Sequence, residues 1–130
     1  MALTTPDRVR RRLGYSDPTL TEQALIEYIE DAESYIQRVT RTLWEPGMDG
    51  YTLAVSICTD LAAVYAVIRP AGGLAEGLDY TIDEFTVKKS KQLESRMRTA
   101  AQFRQNAKEG LDALAQEDTS VPVSNTGYYG

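Results

Sequence analysis

The run Tyr51–Ile68 constrains this chain more than any other stretch. On a helical wheel Leu53, Val55, Ile57, Cys58, Leu61, Val64, Tyr65 and Ile68 spread over well more than half the circumference. Only a narrow stripe, Thr52, Ser56, Thr59 and Ala63, is small or polar. A helix that is apolar nearly all round is a buried one, so this segment is expected to be the central helix, with its small stripe open to close approach by another backbone. Asp60 stands at the edge of that stripe and needs a partner once buried. A membrane span needs about twenty mostly apolar residues; this shorter run, with a carboxylate at its middle, reads as a core helix, and no membrane is expected as a partner.

The flanking segments have the complementary pattern. From Thr21 to Leu43, the residues Leu25, Ile29, Ala32, Ile36, Val39 and Leu43 recur at alternating spacings of four and three, the period of a helix that buries one stripe. Tyr28 and Tyr35 border that stripe, Glu27, Glu30, Gln37, Arg38 and Arg41 lie opposite, and Pro46-Gly47 after Trp44-Glu45 prevents continuation. Thr19 with Glu22 fits a capping box, and Thr21 is an alternative cap. Upstream, Thr5-Pro6-Asp7 starts a short helix that carries Val9 and Leu13 on one face and stops at Gly14.

A last long helix is expected from Ser90 to about Ala115. Its seam is Leu93, Met97, Ala100, Ala107, Leu111 and Leu114, with Phe103 beside it. Arg104 falls where an apolar residue is due. Either its stem packs while its head reaches water, or it pairs with a buried carboxylate, for which Asp60 is the candidate. The polar side includes Glu94, Gln102, Gln105 and Glu109; it is a solvated face by default, and in a ring it would line a channel.

Ala71–Leu78, with Gly72, Gly73 and Gly77, reads as a flexible connector and lacks the ending of a phosphate loop. Tyr80–Lys88 alternates on both sides of Asp83-Glu84, as a short hairpin or a bulged strand would. The segment 117–130 has no period and carries the spaced anchors Val121, Val123, Tyr128 and Tyr129, a pattern suited to ordering on a partner. The expected fold is therefore mainly α. It is a small bundle of about four helices with a short β-hairpin or bulged strand and an extended C-terminal tail, divided into a helical domain, 1–116, and a flexible tail, 117–130.

Composition narrows function by exclusion. The 130 residues suit one domain with a modest core. A net charge of −5 disfavours nucleic-acid binding. The chain has no histidine, which removes His-based triads and His metal sites, and one cysteine, Cys58, which reads as a small buried hydrophobe. Met1-Ala2-Leu3-Thr4-Thr5-Pro6 leads straight into a capped turn, so no signal peptide is expected there. Chemistry by carboxylates alone, for example Asp60 with Glu84, has no histidine, metal-ligand cluster or phosphate loop to support it; no enzymatic activity, cofactor or metal is expected. The cluster Arg8, Arg10, Arg11 and Arg12 is either a solvated face or a docking surface for an acidic partner.

The order of elements and two of its segments resemble a known family. The capped helix Thr5–Gly14 leads into Leu25-Ile26-Glu27-Tyr28-Ile29-Glu30-Asp31-Ala32-Glu33-Ser34-Tyr35-Ile36. This looks like the opening of the head–tail connector (adaptor) proteins of tailed phages and related viruses, in which a short helix precedes a longer one of the type I-x-x-A-x-x-x-I. The apolar helix, glycine-rich loop, short β-element, long helix and extended tail are similar as well. The long final helix and the Tyr-Tyr-Gly ending depart from many relatives.

The resemblance implies a structural virion protein without enzymatic activity. It would form a dodecameric homo-oligomeric ring below the portal protein, at the head–tail junction, after assembly in the host cytoplasm. The ring would extend the DNA channel, through which DNA passes without sequence-specific binding, and would present a platform to a stopper or tail-completion protein. A ring needs a heterologous interface, for which Tyr28, Tyr35, Trp44, Tyr80, Ile82, Phe85 and Val87 are the candidates. Arg8, Arg10, Arg11, Arg12, Val121, Val123, Tyr128 and Tyr129 are the partner-docking candidates. The alternative is a small helical protein-interaction or assembly module that belongs to no particle.

Overall fold

The structure is a computed structural model that describes residues 2–82 and 91–120, with side chains of the last helix described from 92 to 115. The candidates Phe85, Val87, Val121, Val123, Tyr128 and Tyr129, and the expected cap Ser90, lie outside the described residues. The order is α1 (Pro6–Leu13), α2 (Glu22–Thr40), α3 (Tyr51–Ile68), β1 (Leu74–Glu76), β2 (Asp79–Thr81) and α4 (Lys91–Ser120). The described residues form a small, mainly α bundle of four helices with one antiparallel hairpin.

The helix starts follow from the capping chemistry. Thr5 caps α1: its hydroxyl oxygen accepts the Arg8 amide at 3.3 Å, Pro6 occupies the first turn, and Gly14 closes the helix in the left-handed conformation at φ 75°. Thr21 caps α2, accepting the Ala24 amide at 3.1 Å. Thr19 belongs instead to a turn, where its amide and hydroxyl both donate to the Asp17 carboxylate. A side chain already committed to a neighbouring turn is not free to cap.

Helix α3 is the centre of the bundle. Every residue from Ile57 to Ile68 is buried, Asp60 included, and α1, α2, α4 and β1 all pack against it. By length and composition it would qualify as a membrane span, but 72% of it lies inside the fold. Its small stripe is used at Thr59, whose hydroxyl meets that of Thr4 at 2.8 Å and so seats the segment before α1. Helix α4 approaches α3 closely at Gly110, where an added Cβ would lie 2.6 Å from Ile57.

Helix α2 ends three residues before the expected Leu43. Arg41 takes a left-handed conformation, φ 55° and ψ 35°. Leu43, beyond that turn, is carried off the core and is 70% exposed; Val39, still in the last turn of the helix, is 50% exposed. Leu25, Ile29, Ala32 and Ile36 are buried as their spacing requires.

Among the described residues the β-element is a hairpin over Leu74–Thr81; it shares Tyr80 and Thr81 with the expected Tyr80–Lys88, of which positions 83–88 lie outside the described residues. Leu74, Ala75 and Glu76 pair with Thr81, Tyr80 and Asp79 across a two-residue turn at Gly77-Leu78. The stretch expected to be a flexible connector therefore holds the first strand. Its glycines serve backbone geometry: Gly77 has φ 59°, and a Cβ on Gly73 would lie 2.5 Å from the Thr81 carbonyl oxygen. Glycine is where another backbone approaches closely as well as where a chain bends. At the other end, α4 runs on to Ser120 and takes residues 117–120 out of the expected tail.

Candidate functional site

Four arginines tie the elements of the bundle together, and they leave the molecule's surfaces in fixed positions. Arg12, at the end of α1, pairs with the buried Asp60 of α3. Burial raises the Asp60 carboxyl above its ordinary range, and the Arg12 guanidinium opposes that rise without cancelling it. The Asp60–Arg104 pair, the alternative to a stem-packed Arg104, does not form. Arg104 instead donates through Nε to the Leu78 carbonyl at the hairpin turn. Asp60 faces α1, and Arg104 lies under the hairpin, so two different elements take the two charges.

Arg69, the residue after α3, is the most connected of the four. Its Nη1 donates to Asp31 of α2 at 2.5 Å, while Nε and Nη2 donate to the Ala75 carbonyl at 3.3 and 2.8 Å. The guanidinium lies over the Tyr65 ring at 4.3 Å and near Tyr28 at 5.6 Å. Tyr65 in turn accepts the Gly77 amide at 2.6 Å, and burial pushes its phenol up to about 12. Arg96 of α4 makes the corresponding clamp on the α1–α2 loop, stacking over Tyr15 at 4.0 Å and donating to Asp17 at 3.4 Å. The spacing of the apolar residues did not single out Arg69 or Arg96. The available signal for Arg69 was Tyr28 and Asp31, three residues apart on one face of α2.

These ties account for several residues expected to face neighbours. Arg12 is half-buried in an internal ion pair, leaving Arg8, Arg10 and Arg11 as the exposed basic face of α1. Tyr28, Tyr35, Trp44, Tyr80 and Ile82 are all half-buried. Tyr35 packs under Gly77, where an added Cβ would collide with its ring. The large apolar side chains that are exposed are different ones: Val39, Leu43 and Met48 near the α2–α3 corner, Ile26 on α2, and Leu74 on β1 at 77%.

Glu94, Gln102, Gln105 and Glu109 all lie on the exposed side of α4. They are laced along the helix: Arg98 pairs with Glu94 at 3.7 Å, Gln102 donates to Asn106 at 3.0 Å and Gln105 to Glu109 at 3.0 Å. Such one-turn pairs organise a solvated surface and add only a few tenths of a kcal/mol each.

Burial pushes the Cys58 thiol up to about 12, so it is not a thiolate at neutral pH, and its Sγ lies against the Ile29 carbonyl at 3.9 Å. Among the described residues no three or more carboxylate or thiol side chains converge on a point where a metal ion would sit.

Two concave surfaces stand out. One, of about 630 Å³, runs along the hairpin between Arg69 and Thr81. The other, of about 170 Å³, lies between the end of α2, Trp44 and the last part of α4. Comparison of the chain with protein-family models, with curated proteins and with solved structures finds no match.

Proposed function

We propose that this protein is a head–tail connector of a tailed virus, a ring-forming subunit that sits below the portal, extends the DNA channel and joins capsid to tail. The observation that carries the reading is the distribution of exposed apolar side chains. Leu43 and Met48 stand near one corner of the bundle and Leu74 on the hairpin, all outside the buried core cluster. A subunit that closes a ring by a heterologous interface needs two such surfaces, one for each neighbour. The order of short capped helix, long helix, buried helix, hairpin and long helix agrees with the resemblance. The exposed arginines of α1 supply a third surface, suited to an acidic partner. With a net charge of −5 per subunit, a ring would present DNA with a repelling lumen rather than a binding one.

The test is electron microscopy of the protein mixed with its cognate portal, together with the protein composition of purified particles. Rings on the portal, and the chain present in particles, are the expected results. A protein that remains monomeric or dimeric beside the portal and is absent from particles is the interaction module instead, and the connector reading fails.

A further inference from the structure

The smaller groove is built to take an apolar side chain. Val39 and Thr40 from the end of α2, Thr42 and Trp44 from the corner, and Leu111 and Leu114 of α4 form its walls, and Ala115 closes one end; none of them is charged. Its polar groups are already satisfied among themselves. Trp44 Nε1 donates to the Thr40 hydroxyl at 3.1 Å, Thr40 donates to the Ile36 carbonyl at 2.7 Å, and Thr42 to the Thr40 carbonyl at 3.0 Å. What remains for an occupant is apolar surface, and Val39 is left half exposed there. At about 170 Å³ the groove falls below the roughly 300–1,000 Å³ of small-molecule pockets. It suits one or two side chains.

The chain itself carries a matching segment. Residues 121–130 contain no charged side chain, although 25% of the whole sequence is charged. The segment begins where α4 ends, five residues beyond Ala115, which at about 1.5 Å per helical residue is only some 7.5 Å past the groove. Eight extended residues from Ser120 to Tyr128 span up to about 26 Å, several times the distance needed to return. A tethered segment also meets its site at an effective concentration on the order of millimolar, so a contact too weak for separate molecules is populated.

We infer that residues 121–130 fold back on their own protomer and seat Tyr128 and Tyr129 in the groove, against Val39 and Trp44. This does not depend on the connector reading. Trp44 is the chain's single tryptophan, so its fluorescence reads the groove directly. The experiment compares the full chain with its full-length Tyr128→Ser/Tyr129→Ser variant under selective indole excitation, following emission and acrylamide quenching over a hundredfold dilution. Both positions lie outside the described bundle, and circular dichroism checks that the helices are retained. The expected result is a red shift and stronger quenching in the variant, with the wild-type signal independent of concentration. Identical quenching in the two proteins overturns the proposal. A difference that disappears on dilution assigns the groove to a second copy's tail and overturns it as well.

Discussion

The Tyr65 hydroxyl accepts the Gly77 amide at 2.6 Å, and through this bond the most buried helix of the bundle holds the turn of the hairpin. Tyr65 is 1% exposed and Gly77 is buried, so neither group has water as an alternative partner. Tyr65→Phe keeps the ring under Arg69 but orphans the Gly77 amide, which costs about 1–3 kcal/mol. Thermal denaturation followed by circular dichroism measures that loss. Gly77→Ala is expected to cost at least as much, because its φ of 59° and the Tyr35 ring both reject a Cβ. A Tyr65→Phe protein as stable as the wild type would show that the bond does not hold the turn.

Asp60 gives the fold a pH dependence of defined sign. Burial raises its carboxyl above the ordinary range, so the folded state binds the proton more tightly than the unfolded state does. The stability it contributes is complete below the ordinary carboxylate range and declines as pH rises through the raised folded value. Asp60→Asn removes that decline. The stability of the variant relative to wild type should therefore increase as pH is raised from about 4 toward neutrality. Denaturant titrations across that range check it, and a parallel pair of curves would sink the assignment.

The partner of Asp60 is separately testable. A double-mutant cycle between Asp60→Asn and Arg12→Met should show coupling, because the two side chains are in contact. The cycle between Asp60→Asn and Arg104→Met should be additive within about 0.5 kcal/mol, because Arg104 is bonded to the Leu78 carbonyl. The reverse ranking is the outcome that contradicts the structure.

Gly110 places two effects in opposition. Glycine inside a helix costs about 0.5–1 kcal/mol relative to alanine, so Gly110→Ala would stabilise an open site. Here the new Cβ would lie 2.6 Å from Ile57 Cγ1, deep in the α3–α4 contact, and overpacking costs about 1–3 kcal/mol. The second effect is the larger, and net destabilisation is expected in chemical denaturation. In a double-mutant cycle with Ile57→Ala, which removes both Cγ1 and Cδ1, the two changes together should cost less than the sum of the single losses; if they simply add, the close approach is not the cause.

The two candidate caps of α2 separate by mutation. Thr21→Ala should cost about 1 kcal/mol, since it removes the acceptor of the Ala24 amide. Thr19→Ala loses only exposed contacts with Asp17 and should stay within about 0.5 kcal/mol. Equal losses in urea unfolding would count against Thr21 as the cap.

Periodicity and punctuation alone determined the helices. The spread of apolar side chains over Tyr51–Ile68 marks the buried centre, the four-and-three stripe from Leu25 to Ile36 marks a helix with one buried face, and Thr5, Pro6 and Gly14 bound the first helix. These signals are local, and each works through the backbone geometry of the few residues that carry it. What required the tertiary structure is long-range. Which arginine answers Asp60 depends on whether α1 or α4 passes that side of α3, and nothing local to Asp60, Arg12 or Arg104 records it. Leu74–Glu76 is a strand only because Asp79–Thr81 lies beside it and Gly73 admits its backbone. The left-handed Arg41 ends α2 short of Leu43, and the groove beside Trp44 exists only because α4 passes the end of that helix. The candidate surfaces were legible as residue types, in the basic first helix and the polar face of the last one, but their exposure was not. Side chains such as Tyr28 and Tyr35 are half-buried because Arg69 and the hairpin turn close over them, while Val39, Leu43 and Leu74 remain open.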